Sequence, residues 1–260
     1  MIDKLLPIVR EAGQHSFSVF GKLVANDVQH KSDVDLVTRI DREVEDLLRD
    51  RLALAFPAIP FVGEEGEYGT LDDYDTAFIV DPIDGTTNYV HAVPYYAVSV
   101  GVRRAGCLEA GAVYLPYFDV MYYAQRGNGA FCDGKQIHVS ANERLLDSVA
   151  STGFACVRER VTPNNLGCFN RVVDRFQAVR TTGAASVDCC YVADGRFDLY
   201  WELNIKPWDV AAGTIIIREA GGRVTSLEGE EEFDVTESFV ASNGLVHAEF
   251  LKAARSAPEE

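Results

Sequence analysis

The run Ala77-Phe78-Ile79-Val80-Asp81-Pro82-Ile83-Asp84-Gly85-Thr86-Thr87 constrains this chain more than any other segment. Four consecutive apolar residues read as a buried strand, and Asp81 stands where that strand ends. Pro82 fixes φ and removes a donor, so the chain leaves the strand in a defined turn. Asp84 follows within one turn. Gly85 relaxes the steric limits, and Thr86 and Thr87 offer hydroxyls and amide N–H groups. Two carboxylates held this close repel unless a cation or a proton lies between them. A hard divalent ion such as Mg2+ suits one or two carboxylates completed by phosphate oxygens, and the N–H groups after Gly85 suit the phosphate itself. Taken alone, the segment reads more simply as an Asp-Pro turn with a helix cap. Two other segments shift the balance. Gly63-Glu64-Glu65-Gly66 follows a short strand at 59–62, and Pro207-Trp208-Asp209 opens a helix. Pro207 and Trp208 would hold Asp209 rigidly, as a metal ligand requires.

Charge narrows the partners. The 260 residues carry 24 Lys+Arg against 40 Asp+Glu, a net charge of −16. That surplus disfavours nucleic acids, whose binders cluster Lys and Arg, and anionic membranes. It leaves small anions open, because a bound metal reverses the local field. Asp3, Arg10, Glu11 and His15 interrupt any signal-like run at the N-terminus, and no stretch approaches the roughly 18 apolar residues of a membrane span. A cytoplasmic protein is the simplest reading. The six cysteines form no C-x-x-C pair and read as buried reduced thiols. The five histidines lie outside the carboxylate motifs and read as surface or structural.

Helical spacing covers residues 2–20 and 41–55, the second with Val44, Leu47, Leu48, Leu52 and Leu54 as its buried stripe and Thr38 and Asp41 as caps. Strands at 96–102, 110–115 and 120–125 predict an antiparallel meander. After residue 148, strands at 148–152, 178–181, 197–200 and 239–241 alternate with helices at 164–176, 185–193, 210–220 and 244–254. No repeat or linker divides the chain, which reads as one unit of two packed lobes, about 1–147 and 148–260. The acidic run 228–232 reads as a solvated turn.

These motifs together resemble the inositol monophosphatases, within the superfamily of Mg2+-dependent, lithium-sensitive sugar phosphatases. Asp81-Pro82-Ile83-Asp84-Gly85-Thr86-Thr87-Asn88-Tyr89 carries the likeness, with Trp208-Asp209-Val210-Ala211-Ala212-Gly213, Glu219-Ala220-Gly221-Gly222, Glu64, and the upstream Lys31-Ser32, Asp35-Leu36-Val37-Thr38 and Asp41. The resemblance spans nearly the whole chain. It implies an α/β fold, the layered α/β/α/β/α sandwich of the inositol monophosphatase/fructose-1,6-bisphosphatase type, and a homodimer. It implies Glu64, Asp81 and the Ile83 carbonyl as ligands of a first Mg2+, Asp81, Asp84 and Asp209 as ligands of a second, and a third ion beside Glu64. It implies Asp41 and Thr86 as the pair that activates water, with Glu64 among the catalytic residues. Gly85 and Thr86 N–H groups would hold the phosphate. Gly183, Ala184, Ala185, Glu202, Asp84 and Asp209 would contact the polyol. Two metals clamping the attacking and leaving oxygens need no histidine base. The expected activity is hydrolysis of inositol monophosphate. Alternatives are fructose-1,6-bisphosphatase or dual-specificity sugar phosphatase, with Lys206 and Arg180 as basic groups, histidinol phosphatase, 3′-phosphoadenosine phosphatase, and a non-enzymatic RNA or transcription regulator. Residues 153–170 match no motif, and the loop 31–35 is one residue shorter than in typical animal members.

Overall fold

The computed structural model describes residues 1–24, 27–30, 36–66, 68, 71–231 and 237–256. The loop 31–35 and parts of the two acidic runs, at 67, 69 and 232, lie outside the described residues. Leu5, Ile8, Val9 and Ala12 form the buried stripe of helix α1 (Ile2–Val19). Ile40, Val44, Leu48 and Leu52 form that of α2 (Arg39–Ala55). Leu54, expected in the second stripe, is 81% exposed because two residues beyond Leu52 it points away from the buried face of the helix. A short antiparallel pair, β1 (Val28–His30) and β2 (Leu36–Thr38), delivers the chain to α2.

Seven strands make the first sheet in chain order: β3 (Phe61–Gly63), β4 (Ala77–Asp84), β5 (Ala97–Arg104), β6 (Cys107–Leu115), β7 (Val120–Gln125), β8 (Ala130–Cys132) and β9 (Lys135–Ile137). From β4 onward this is the expected antiparallel meander. β3 runs parallel to β4, with Gly63 opposite Val80. That register sets Glu64 and Asp81, one residue further on each strand, side by side. The short helix α3 (Thr86–Val90) follows β4.

The second sheet is mixed. It uses β10 (Val149–Thr152), β11 (Ala178–Arg180), β12 (Leu199–Leu203), β13 (Arg223–Thr225) and β14 (Ser238–Ser242) in the order β11-β10-β12-β14-β13. Its helices are α4 (Ala155–Arg158), α5 (Asn165–Val172), α6 (Ala185–Ala193), α7 (Pro207–Glu219) and α8 (His247–Arg255). Short β8, β9 and β13 and the one-turn helices escaped the sequence reading, because three to five residues carry no resolvable period.

Five layers result. α1 and α2 pack on the outer face of the first sheet, with Phe78, Val80, Val98 and Val100 beneath them. α6 and α7 lie between the two sheets, where Val187, Cys190, Ile215 and Ile216 join Val113, Tyr122 and Tyr200 in one core. α5 and α8 cover the far face of the second sheet, around Trp201, Phe176 and Phe250. α6 and α7 are apolar almost all round, as helices sandwiched between sheets must be. Four cysteines are buried, but Cys107 is exposed at a turn and Cys132 half-buried. His247 is fully buried between the Thr225 and Ser242 hydroxyls, a structural role.

Candidate active site

β4 does not stop at Asp81. It runs to Asp84 through a bulge, since Asp81 faces Ser99 and Asp84 faces Ala97, three steps on one strand against two on the other. Inside the bulge the Ile83 N–H donates to Asp81 Oδ1 at 3.0 Å. Gly85 then turns the chain with φ of +89°, and a Cβ there would stand 3.0 Å from both Ala184 Cβ and the Tyr95 carbonyl. Only glycine accepts that conformation and that crowding.

Asp41 reaches the same place from α2. Thr38 caps the helix, accepting from the Ile40 and Asp41 N–H groups, while Asp41 Oδ2 accepts from the Thr38 N–H at 2.8 Å and from its hydroxyl. The other oxygen, Oδ1, faces the Thr86 hydroxyl at 3.1 Å; that hydroxyl lies equally 3.1 Å from the Ile83 carbonyl. Its single proton is shared between two acceptors. Asp41 is 1% exposed, and burial lifts its pKa to about 6, with the Glu64 charge adding to the rise and the Thr38 hydrogen bonds opposing it. Thr38→Ala should therefore cost about 1 kcal/mol of stability through the lost cap, which a melting curve checks.

Asp209 arrives third, on the first turn of α7. Its Oδ2 accepts from the Lys206 N–H at 3.0 Å. Ser99, opposite Asp81, donates to the Trp208 carbonyl at 3.4 Å and ties this turn to the first sheet. Burial, then the charges of Glu64, Asp84, Asp209 and Asp41, push Asp81 well above the carboxylate range. Asp209 rises for the same reason, with burial, Asp84 and Glu64 in that order. The structure thus brings together Asp41, half-buried Glu64, Asp81, Asp84 and Asp209. Among the described residues, no group of three or more His, Cys, Asp or Glu side chains already stands in ligand geometry. The carboxylates are instead turned to neighbouring N–H and O–H donors.

The substrate-side residues gather on the second half of the chain. Asp84 Oδ1 accepts from the Ala185 N–H at 3.2 Å, and Oδ2 from the Ser186 N–H at 2.6 Å and the Ser186 hydroxyl. Burial raises Asp84 to about 6 against these donors. The Asn88 amide donates to the carbonyls of Tyr95 (2.6 Å) and Thr182 (2.7 Å), fixing the turn Thr182–Ala185 against α3. Glu202 is buried rather than exposed at a strand end. It accepts from the Tyr200 hydroxyl at 2.7 Å, and burial lifts it to about 7. Ser186 and Tyr200 were missed as partners, although Tyr200 and Glu202, two apart on a strand, share a face. Asp188 was missed too. It is 2% exposed on α6, raised by burial, near Glu202 and Asp84, and one of its oxygens lacks a partner. Lys206 is exposed as the cap of α7. Arg180 lines a cleft of about 290 Å³ with Arg196, Tyr95, Tyr191 and Thr182, beside the Thr182–Ala185 turn.

The profile of the inositol monophosphatase family matches residues 2–259. An inositol-1-monophosphatase of Mesorhizobium japonicum is 34% identical over 255 residues, 98% of this chain and 96% of that one. A fructose-1,6-bisphosphatase/inositol-1-monophosphatase of Thermotoga maritima is 35% identical over 261 residues, covering 100% of this chain and 97% of that one. The crystal structure of extragenic suppressor protein suhB from Bartonella henselae superposes with a TM-score of 0.89 at 33% identity, covering 99% of each chain. Fold, length and motifs agree: the chain belongs to the inositol monophosphatase family, a family of phosphatases acting on small phosphorylated molecules.

Proposed function

We propose that this protein is a Mg2+-dependent phosphomonoesterase that hydrolyses inositol monophosphate to inositol and phosphate. One observation carries the reading: Glu64, Asp81, Asp84 and Asp209, from three separate segments, meet at one place, where burial and the charges of Glu64 and Asp84 raise the proton affinity of Asp81 and Asp209, with the Asp41–Thr86 pair beside them. Buried like charges of this kind call for a cation. The donor set is hard oxygen, four carboxylates and the Ile83 carbonyl, which fits Mg2+. The nearby Cys189 thiol is kept neutral by full burial, which removes it as a soft ligand.

Glu64, Asp81, Ile83, Asp84 and Asp209 would hold the ions, two or three in number. When bound, Mg2+ would neutralise the phosphate and acidify a water. Thr86 and Asp41 would orient that water. The Thr86 hydroxyl, which donates to Asp41 Oδ1 at 3.1 Å, would relay a proton from a water to that carboxylate. The N–H groups of Gly85 and Thr86 would bind phosphate oxygens, and Asp84 would touch the hydroxyl beside the ester. Glu202 would accept a ring hydroxyl, with Gly183, Ala184 and Ala185 lining the ring. A cytoplasmic homodimer accompanies this reading, and sedimentation velocity tests its size.

One relative is named for both activities, so fructose 1,6-bisphosphate is tested beside inositol 1-phosphate. Phosphate release with Mg2+ from inositol 1-phosphate, fructose 1,6-bisphosphate, histidinol phosphate and 3′-phosphoadenosine 5′-phosphate should give the highest kcat/KM for inositol 1-phosphate. Preference for either of the last two substrates would reject the substrate assignment. Absence of turnover on all four would reject the enzyme.

A further inference from the structure

We propose that Gly153, in the segment that matches no motif, is the positioning residue that sets polyol specificity, because its missing side chain makes the ledge on which the Glu202 carboxylate lies. This rests on Glu202 being the hydroxyl acceptor of the proposed reaction. β10 and β12 run parallel with Thr152 opposite Trp201, so Gly153, just past the end of β10, comes beside Glu202 of β12. A Cβ on Gly153 would fall 2.3 Å from each oxygen of Glu202. Glu202 Cδ would lie 2.5 Å away as well, so turning the carboxylate about its own bond does not relieve the contact and the side chain must shift away from the Tyr200 hydroxyl that it accepts from at 2.7 Å. The Ala155 N–H, two residues beyond Gly153, also donates to it.

The ledge is built in from below. Asn165 donates to the Gly153 carbonyl and, at 3.1 Å, to the Thr152 hydroxyl, which itself donates to the Trp201 carbonyl at 2.7 Å. On the outside, Asn204, at φ of +59°, donates to the Pro163 carbonyl at 3.0 Å and fastens the same segment to the connection between Glu202 and Asp209. Residues 153–165 are therefore a strap around the hydroxyl acceptor, and a Cβ on Gly153 would crowd both carboxylate oxygens.

The test uses the full chain with Mg2+ and two substrates, inositol 1-phosphate and p-nitrophenyl phosphate, which has no polyol hydroxyls. Gly153→Ala should raise KM for inositol 1-phosphate about tenfold or more, because a displaced acceptor leaves a substrate hydroxyl unpaired. Its kcat, and both constants for the aryl phosphate, should stay within about twofold. In a Glu202→Asp background the shorter side chain withdraws from the added methyl, so Gly153→Ala should cost nothing further. Equal losses on both substrates, or additive losses in the double variant, overturn the proposal. Glu202→Gln run in parallel separates the two ideas. If it leaves KM for inositol 1-phosphate unmoved, the reading of Glu202 falls and the proposal with it. If it raises KM and Gly153→Ala does not, only the role of Gly153 falls. Should Gly153→Ala fail to fold by its melting curve, Asn165→Ala releases the ledge without adding an atom and must show the same split between substrates.

Discussion

Asp81→Asn should abolish phosphate release, by about 10³-fold or more, while making the cation-free protein more heat-stable. The two effects have one origin. Asp81 is 1% exposed and feels four other carboxylates, so its charge is costly in the folded chain and useful only to a cation. A lost Lewis-acid contact is worth several kcal/mol of transition-state stabilisation, which is the rate loss expected. Removing one of several buried like charges should raise the cation-free melting temperature by about 2–4 °C for each kcal/mol relieved. The sign with pH follows. Asp41 and Asp84 are raised to about 6 and Glu202 to about 7 in the fold. A carboxyl raised above its unfolded value contributes stability that is full at low pH and is lost as pH rises through the folded pKa. The cation-free protein should therefore melt lower at pH 7.5 than at pH 5. Mg2+ should stabilise it more at pH 7.5, because cation and protons compete for the same oxygens. Scanning calorimetry of wild type and Asp81→Asn with and without Mg2+ checks all three signs. A variant that keeps wild-type turnover would remove Asp81 from the site.

Asp41→Asn should slow turnover by about 10²–10⁴-fold, the usual worth of a positioned proton acceptor, with Mg2+ affinity little changed. The amide keeps the acceptor oxygen that Thr86 needs and can keep one link to Thr38, so the capping turn survives. What disappears is the place where the proton from Thr86 comes to rest. Below pH 6 the wild type should decline as Asp41 protonates, and the variant should lack that limb. Thr86→Ser should retain most activity and Thr86→Val should not, since only the hydroxyl bridges to Asp41. A pH–rate profile of the four proteins decides it; a variant Asp41→Asn with an unchanged profile would assign the base elsewhere.

The meander and the long helices were legible because their apolar periods run for six residues or more. The site was legible only through motif likeness, since nothing local says that Glu64 and Asp81 are neighbours. That depends on β3 lying parallel to β4, a pairing of residues 17 apart in register. The bulge hid as well, because Asp-Pro reads as a strand end when the partner strand is unknown. Gly153 sat in a segment without a motif, and its meaning appears only once Glu202 is set beside it. Asp188 carries no sequence signal beyond a polar position in an apolar helix, and it is the sheets on either side of that helix that bury it.

The clasp between Asp84 and α6 has a consequence for how the molecule is made. Asp84 belongs to the first sheet, but the N–H groups that hold it belong to Ala185 and Ser186, and Asp209 follows later still. A nascent chain emerging up to about residue 150 can form the whole first sheet, yet its cluster of acids has neither those donors nor its last carboxylate. The proposed site is thus assembled only after the chain has passed Asp209 on α7, so its two halves must be in place together before a cation can be held.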